Sequence, residues 1–194
     1  MVKLIGISAH AARSGKDTLA QCLQTILTEN GKTSIIKSLA SPLKDKMKDF
    51  IMSEFGIDVL NCTDEEKLLI RPLLVAFGGA KRRRTQGKYW TSLMDAEILN
   101  AKEKTDFLII PDIRYCDFED DECNWLKKKG GILFYIKMEL EDGTFLPPPN
   151  EDEERNSPLL EAKSDIYIKW KQMNYEDCLS FARKTYSTYE QYLQ

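Results

Sequence analysis

Histidine is the scarcest of the chemistry-bearing residues. His10 is the only one in 194 residues, which excludes a metal site built on several imidazoles. Cysteine is sparse and unpatterned. Cys22, Cys62, Cys116, Cys123 and Cys178 are odd in number and scattered, with no Cys-x-x-Cys spacing, so no thiolate metal or redox motif is indicated. Reduced thiols in a cytoplasmic protein are the expectation, in the host cytoplasm were the source viral. No run approaches the ~18 uninterrupted apolar residues of a membrane span. The opening Met1-Val2-Lys3-Leu4-Ile5-Gly6-Ile7-Ser8 turns polar too soon for a secretion signal. Positive charge is not in excess. Lys and Arg number 28 against 31 Asp and Glu, a net charge of −3, which argues against coating nucleic acid by bulk charge. No internal repeat is visible.

What remains is a globular composition, 42% hydrophobic and 30% charged. The length suits a single domain over 1–194 with a real core. Val2 to Ser8 predicts a buried strand. Leu19, Cys22, Leu23, Ile26 and Leu27 recur at helical spacing and stop at Asn30-Gly31. Thr33 to Ser38 predicts a second strand, completing a βαβ unit. Three more strands are expected at Asp106 to Ile110, Ile132 to Met138 and Ile166 to Trp170. Helices are expected from Pro42, over Glu65 to Phe77 (broken by Gly78-Gly79), Tyr89 to Lys104, Cys116 to Lys129 and Tyr175 to Leu193. Lys81 to Lys88 reads as a basic turn. Glu139 to Glu154, with Pro147-Pro148-Pro149, reads as a solvated acidic connection. Five strands interleaved with helices predict an α/β three-layer sandwich around a parallel sheet. The helical block at about 42–105 exceeds one crossover and predicts a cap over a substrate.

The first strand and first helix flank His10-Ala11-Ala12-Arg13-Ser14-Gly15-Lys16-Asp17-Thr18. A phosphate loop belongs in that context, because unpaired N–H groups and the helix dipole favour an anion there. Gly15 lets the backbone approach phosphates, and Lys16 supplies a mobile cation. Ser14, Gly15, Lys16, Asp17 and Thr18 are therefore the candidate ATP-binding residues. The strict pattern has Gly where this chain has His10, and Ser or Thr where it has Asp17. The Gly-Lys-x-Thr form occurs in small-molecule and nucleotide kinases.

Asp112-Ile113-Arg114 follows a buried strand, and ligands of open α/β sheets bind outside the carboxyl ends of strands. Asp112 offers a carboxylate for magnesium, a sugar hydroxyl or a proton. Arg114 offers a bidentate phosphate grip. Lys81, Arg82, Arg83, Arg84 and Lys88 concentrate positive charge that suits a lid over polyphosphate, a nucleic-acid patch or a solvated helix end. Arg71 opens an apolar helix face and so points to a cleft. Trp90 suits either stacking on a base or core packing.

The chain resembles phage-type deoxynucleoside monophosphate kinases of the adenylate-kinase-like phosphate-loop group. Four segments carry this: Arg13 to Thr18; Ala40-Ser41-Pro42-Leu43-Lys44; Arg71 through Trp90 with Gly78-Gly79; and Asp112-Ile113-Arg114 with the acids after it. Asp165-Ile166-Tyr167-Ile168 is a weaker echo. The resemblance implies a five-stranded parallel sheet with the first strand central, and transfer of the γ-phosphoryl group of ATP, with Mg2+, to a deoxynucleoside 5′-monophosphate. It implies catalytic roles for Lys16, Arg13 and Arg114. Lys44, Arg71, Trp90, Asp112 and Arg114 fall on the monophosphate side, and Asp17, Thr18 and Asp112 in the metal shell. The family has a Glu four residues after the Arg of Asp-x-Arg. Phe118 stands there in this chain, and neighbouring Glu119 is taken for the role. Neither a membrane nor a nucleic acid is expected as a partner, and a homodimer is left open. The competing expectations are a kinase for another small metabolite or modified nucleotide, a nucleic-acid-associated ATPase using residues 81–88, and a nucleotide-binding regulator with a degraded site.

Overall fold

The computed structural model describes residues 2–101, 104–148 and 150–193. Five parallel strands form one sheet: β1 (Lys3–Ala9), β2 (Ser34–Ile36), β3 (Phe107–Ile110), β4 (Ile132–Glu139) and β5 (Ile166–Lys171), in the order β2-β3-β1-β4-β5. β1 is central, pairing Lys3 with Phe107 on one side and Ile5 with Ile132 on the other. Strands buried on both faces are continuously apolar. β1 and β3 show this in Leu4, Ile5 and Ile7 and in Phe107 to Ile110. Edge strand β5 instead alternates, with Ile166, Ile168 and Trp170 buried and Tyr167, Lys169 and Lys171 exposed.

Helices cover both faces, as the sequence predicts for a three-layer α/β sandwich. On one, α1 (Lys16–Glu29) and α7 (Tyr175–Leu193) pack Leu19, Leu23, Ile26, Leu179 and Ala182 against Ile5, Ile7, Phe134 and Ile168. On the other, Trp90, Met94, Trp125, Leu126 and Leu160 meet Leu4, Leu108, Leu133 and Tyr135. These residues come from α4 (Lys88–Ala101), α5 (Glu122–Lys128) and α6 (Glu151–Lys163). In chain order α2 (Ala40–Phe55), α3 (Asp64–Arg84) and α4 run between β2 and β3. A small separate core, Met47, Ile51, Ile57, Val59 and Ile70, joins α2 to α3. No helix among the described residues is long and apolar enough to cross a membrane.

Three elements differ from the sequence expectation. α3 does not stop at Gly78-Gly79 but continues to Arg84. A Thr63/Glu66 capping box starts it, and Lys81 to Arg84 place cations at its C-terminal dipole. Helix α5 is shorter than the expected Cys116 to Lys129. The chain before it is held as a loop, with Phe118 N donating to Asp121 Oδ2 (2.7 Å) and Cys116 N to Asn156 Oδ1 (2.6 Å). The acidic stretch is not all connection. Glu151 begins α6, where Asn150 Oδ1 accepts Glu153 N (2.9 Å) and four acids meet the positive end of the dipole. In that stretch Pro149, and in the expected Tyr89 to Lys104 helix Lys102 and Glu103, lie outside the described residues.

Candidate active site

The loop between β1 and α1 is fixed from below. His10 N donates to Ile136 O (2.9 Å), extending the sheet ladder by one residue. The chain then passes through left-handed conformations at Arg13 (φ 61°) and Gly15 (φ 84°). Glycine is required at 15 twice over. Its φ is strained for other residues, and a Cβ there would lie 2.7 Å from the Trp170 ring. Trp170 Nε1 donates to Ser14 O (3.0 Å), and Ser14 Oγ and Lys16 Nζ both donate to Ala11 O (2.9 and 3.4 Å). The Ala11 and Ser14 carbonyls of the loop are thus taken up by the protein. Among the described residues, the backbone N–H groups of Arg13 and of Gly15 to Thr18 have no acceptor. Bare amides at a helix start, around αL turns, form an anion cup.

That cup opens into a cavity of ≈ 660 Å³. Arg13, Gly15, Lys16, Asp17 and Thr18 line it from the loop and the start of α1; Lys44, Lys67 and Arg71 line it from α2 and α3. Leu43, Leu74 and Trp90 add apolar lining. Burial lowers the Lys16 ammonium to a pKa of about 8, with the Arg114 cation adding to the effect. A half-buried, under-neutralised cation has much to gain from a phosphate.

Asp112 and Arg114 sit where β3 ends, as the sequence requires, and both line the cavity. The Asp112 carboxylate accepts from Ser38 Oγ (2.6 Å), Leu39 N (2.9 Å) and Ala40 N (2.9 Å), so it ties the end of β3 to the start of α2. Arg114 Nη1 donates to Glu153 Oε1 (2.9 Å). Trp90 touches the cavity, but its indole N–H donates to Gly78 O (3.1 Å) and its ring meets Phe77 and Tyr89 edge-on, so most of it is core. Glu119 is not brought to the cavity. Its side chain is 88% exposed and pairs with Lys128.

Beyond Arg114 the carboxylate that does reach the cavity is Glu122, which the sequence reading passed over. It is buried, and its Oε2 accepts Arg114 N (2.5 Å) and Tyr115 N (3.2 Å). Burial first, then Asp112 and Asp121, push its pKa up to about 8. It stands eight residues after Arg114, the family spacing being four. Its only sequence signal was its place at the head of a short apolar helix, Cys123 to Leu126.

Nor is the basic run a free lid. Arg82 is 4% exposed, with Nε and Nη2 on Asp121 (2.8 and 2.6 Å), Nη2 on Asp117 (3.1 Å), and its plane against Tyr115 and Phe118. Burial opposes its charge, but the two carboxylates outweigh burial and hold it above the usual arginine value. His10 turns away from the loop, its Nδ1 2.9 Å from Ser157 Oγ. Arg155 pairs with Asp117 and Asp152 rather than entering the site.

No protein-family model matches the sequence, and no curated protein is significantly similar to it. Among solved structures the chain is similar to dephospho-CoA kinase from Campylobacter jejuni, at 15% identity and a TM-score of 0.47, over 98% of this chain and 100% of that one.

Proposed function

We propose that this protein transfers the γ-phosphoryl group of ATP to a deoxynucleoside 5′-monophosphate. The observation that carries the reading is one cavity lined both by the anion cup and by Lys44 and Arg71. Two phosphorylated molecules laid end to end would meet near Lys16 and Arg114. An acceptor phosphate oxygen is already an anion, so no strong base is needed. That oxygen bonds to the γ-phosphorus as the bond to the bridging oxygen breaks and ADP leaves. Alignment and charge neutralisation are then the work of catalysis.

Lys16 and the loop amides would hold the donor, Arg13 and Arg114 the transferring group, and Lys44 and Arg71 the acceptor. Asp17 and Thr18 line the donor end with hard oxygen ligands, and no cluster of three metal-ligating side chains occurs among the described residues. That donor set fits Mg2+, which keeps waters and takes phosphate oxygens. Bound there, the ion would neutralise phosphate charge. Asp112, spent on the start of α2, is the weaker candidate of the three.

The test is ADP production from ATP with each common deoxynucleoside monophosphate, alongside the ribonucleotides and other phosphorylated metabolites. Turnover with a deoxynucleotide is expected. Turnover only with another metabolite would keep the kinase and replace the acceptor, and ADP with none would overturn the reading. ATP hydrolysis stimulated by DNA would favour a nucleic-acid-associated ATPase. Burial of Arg82 counts against that reading, because it removes a cation from the basic run.

A further inference from the structure

Helix α6 touches both anion-gripping loops. Glu153, Asn156 and Ser157 fall at i, i+3 and i+4, on one face of the helix. Glu153, itself held by Asn150 Nδ2 (3.1 Å), takes Arg114 Nη1 (2.9 Å). Asn156 is fully buried; its Oδ1 accepts Cys116 N (2.6 Å) and its Nδ2 donates to Asp117 Oδ2 (3.0 Å). Ser157 is buried too, with its Oγ 2.9 Å from His10 Nδ1 and 2.5 Å from the Tyr135 hydroxyl. His10 is where the strict phosphate-loop pattern has glycine, and a glycine would make no such link.

We propose that α6 is a brace that sets the spacing of the phosphate loop and Arg114, with Glu153 positioning Arg114 and Ser157 positioning the loop through His10. The proposal rests on the phosphoryl-transfer reading for its purpose but not for its geometry. Glu153 occupies one N–H of Arg114. The other guanidinium N–H groups have no acceptor among the described residues, and Arg114 is one of the residues that line the cavity. A side chain tethered at one nitrogen loses little further freedom when it meets a phosphate. A rival role for Glu153 is that of a resting counter-ion, which a substrate phosphate must displace.

The two roles predict opposite signs. In the full chain, Glu153→Ala should lower kcat about 10- to 100-fold through misplacement of Arg114, with the KM for ATP nearly unchanged. Glu153→Gln, which keeps the accepting oxygen, should retain most of the activity, and Ser157→Ala should also lower kcat. An unchanged kcat with a lower acceptor KM in Glu153→Ala would make Glu153 a counter-ion and overturn the proposal. A second measurement needs no turnover. His10 is the only histidine, so its ring NMR signals require no assignment. At fixed pH, Glu153→Ala should shift them, although Glu153 bonds at the other end of the brace. Unshifted signals would overturn the proposal, whereas absence of ADP from the wild type would overturn only the phosphoryl-transfer reading.

Discussion

The two ends of the cavity are built differently. The phosphate-loop end is fastened to the sheet. Its Ala11 and Ser14 carbonyls are bonded to Ser14, Lys16 and Trp170, Gly15 is wedged against an indole, and the side chains beneath it are buried in the large core. The α2–α3 end stands on five buried side chains of its own, and Leu68 and Val75 line the cavity while staying 60% and 46% exposed. Asp112 is the joint, reaching from the end of β3 to the start of α2. The contrast assigns roles. On the proposed reading a triphosphate would be gripped by a preformed cup, and an acceptor would meet a wall whose exposed apolar side chains it covers by drawing that wall in. Closure of that kind excludes water, the competing acceptor.

The comparison breaks most visibly at Lys16. Lys16→Ala should cut turnover by about 10²–10³-fold or more, the scale for a lost charge-stabilising group, without lowering the melting temperature, since a costly half-buried cation is removed. Near-normal rates would show that the cup is not the donor site. Arg82→Ala sharpens it next. Leaving the Asp121 carboxylate buried without its partner should cost about 3–5 kcal/mol of stability, read by urea denaturation. Exposed Arg83→Ala should stay within about 0.5 kcal/mol. If instead Arg82→Ala leaves stability untouched and slows turnover, the run is a lid after all. On the α2–α3 side, Arg71→Ala should raise the acceptor KM by about 10- to 100-fold, the range for a lost charged hydrogen bond, and leave the KM for ATP alone. Equal effects on both would place Arg71 outside the acceptor end.

Much of the sheet was legible because buried parallel strands are written as plain apolar runs, and Gly15-Lys16 lay between the first strand and first helix where an anion cup must be. The errors share a cause: the deciding contacts are distant in sequence. Gly78-Gly79 looks like a stop, yet capping at Thr63 and the anchoring of Arg82 by Asp117 and Asp121, about 35–39 residues on, carry α3 through it. Arg82 to Arg84 look alike in sequence; only the fold makes the first a buried tie. Spacing from Arg114 points to Glu119, beside Phe118, and a loop held open by Asn156 and Asp121 defeats spacing.

Glu122, under the Arg114 turn, gives the subtlest test, because its effect is read as proton uptake. Its ordinary pKa near 4.5 is raised to about 8 in the folded chain, chiefly by burial. Between these values the native state holds a proton that the unfolded chain has released. The associated stability is complete below about pH 4.5 and is lost as pH rises through about 8. Glu122→Gln substitutes a neutral amide whose oxygen can still accept from Arg114 N and Tyr115 N. The wild type should therefore lose melting temperature from pH 5 to 9 more steeply than the variant, and the variant should be the more stable at pH 9. Parallel curves would mean that Glu122 is ionised at neutral pH. The two backbone N–H groups would then outweigh burial, and the Arg114 turn would carry a fixed negative charge beside the cup.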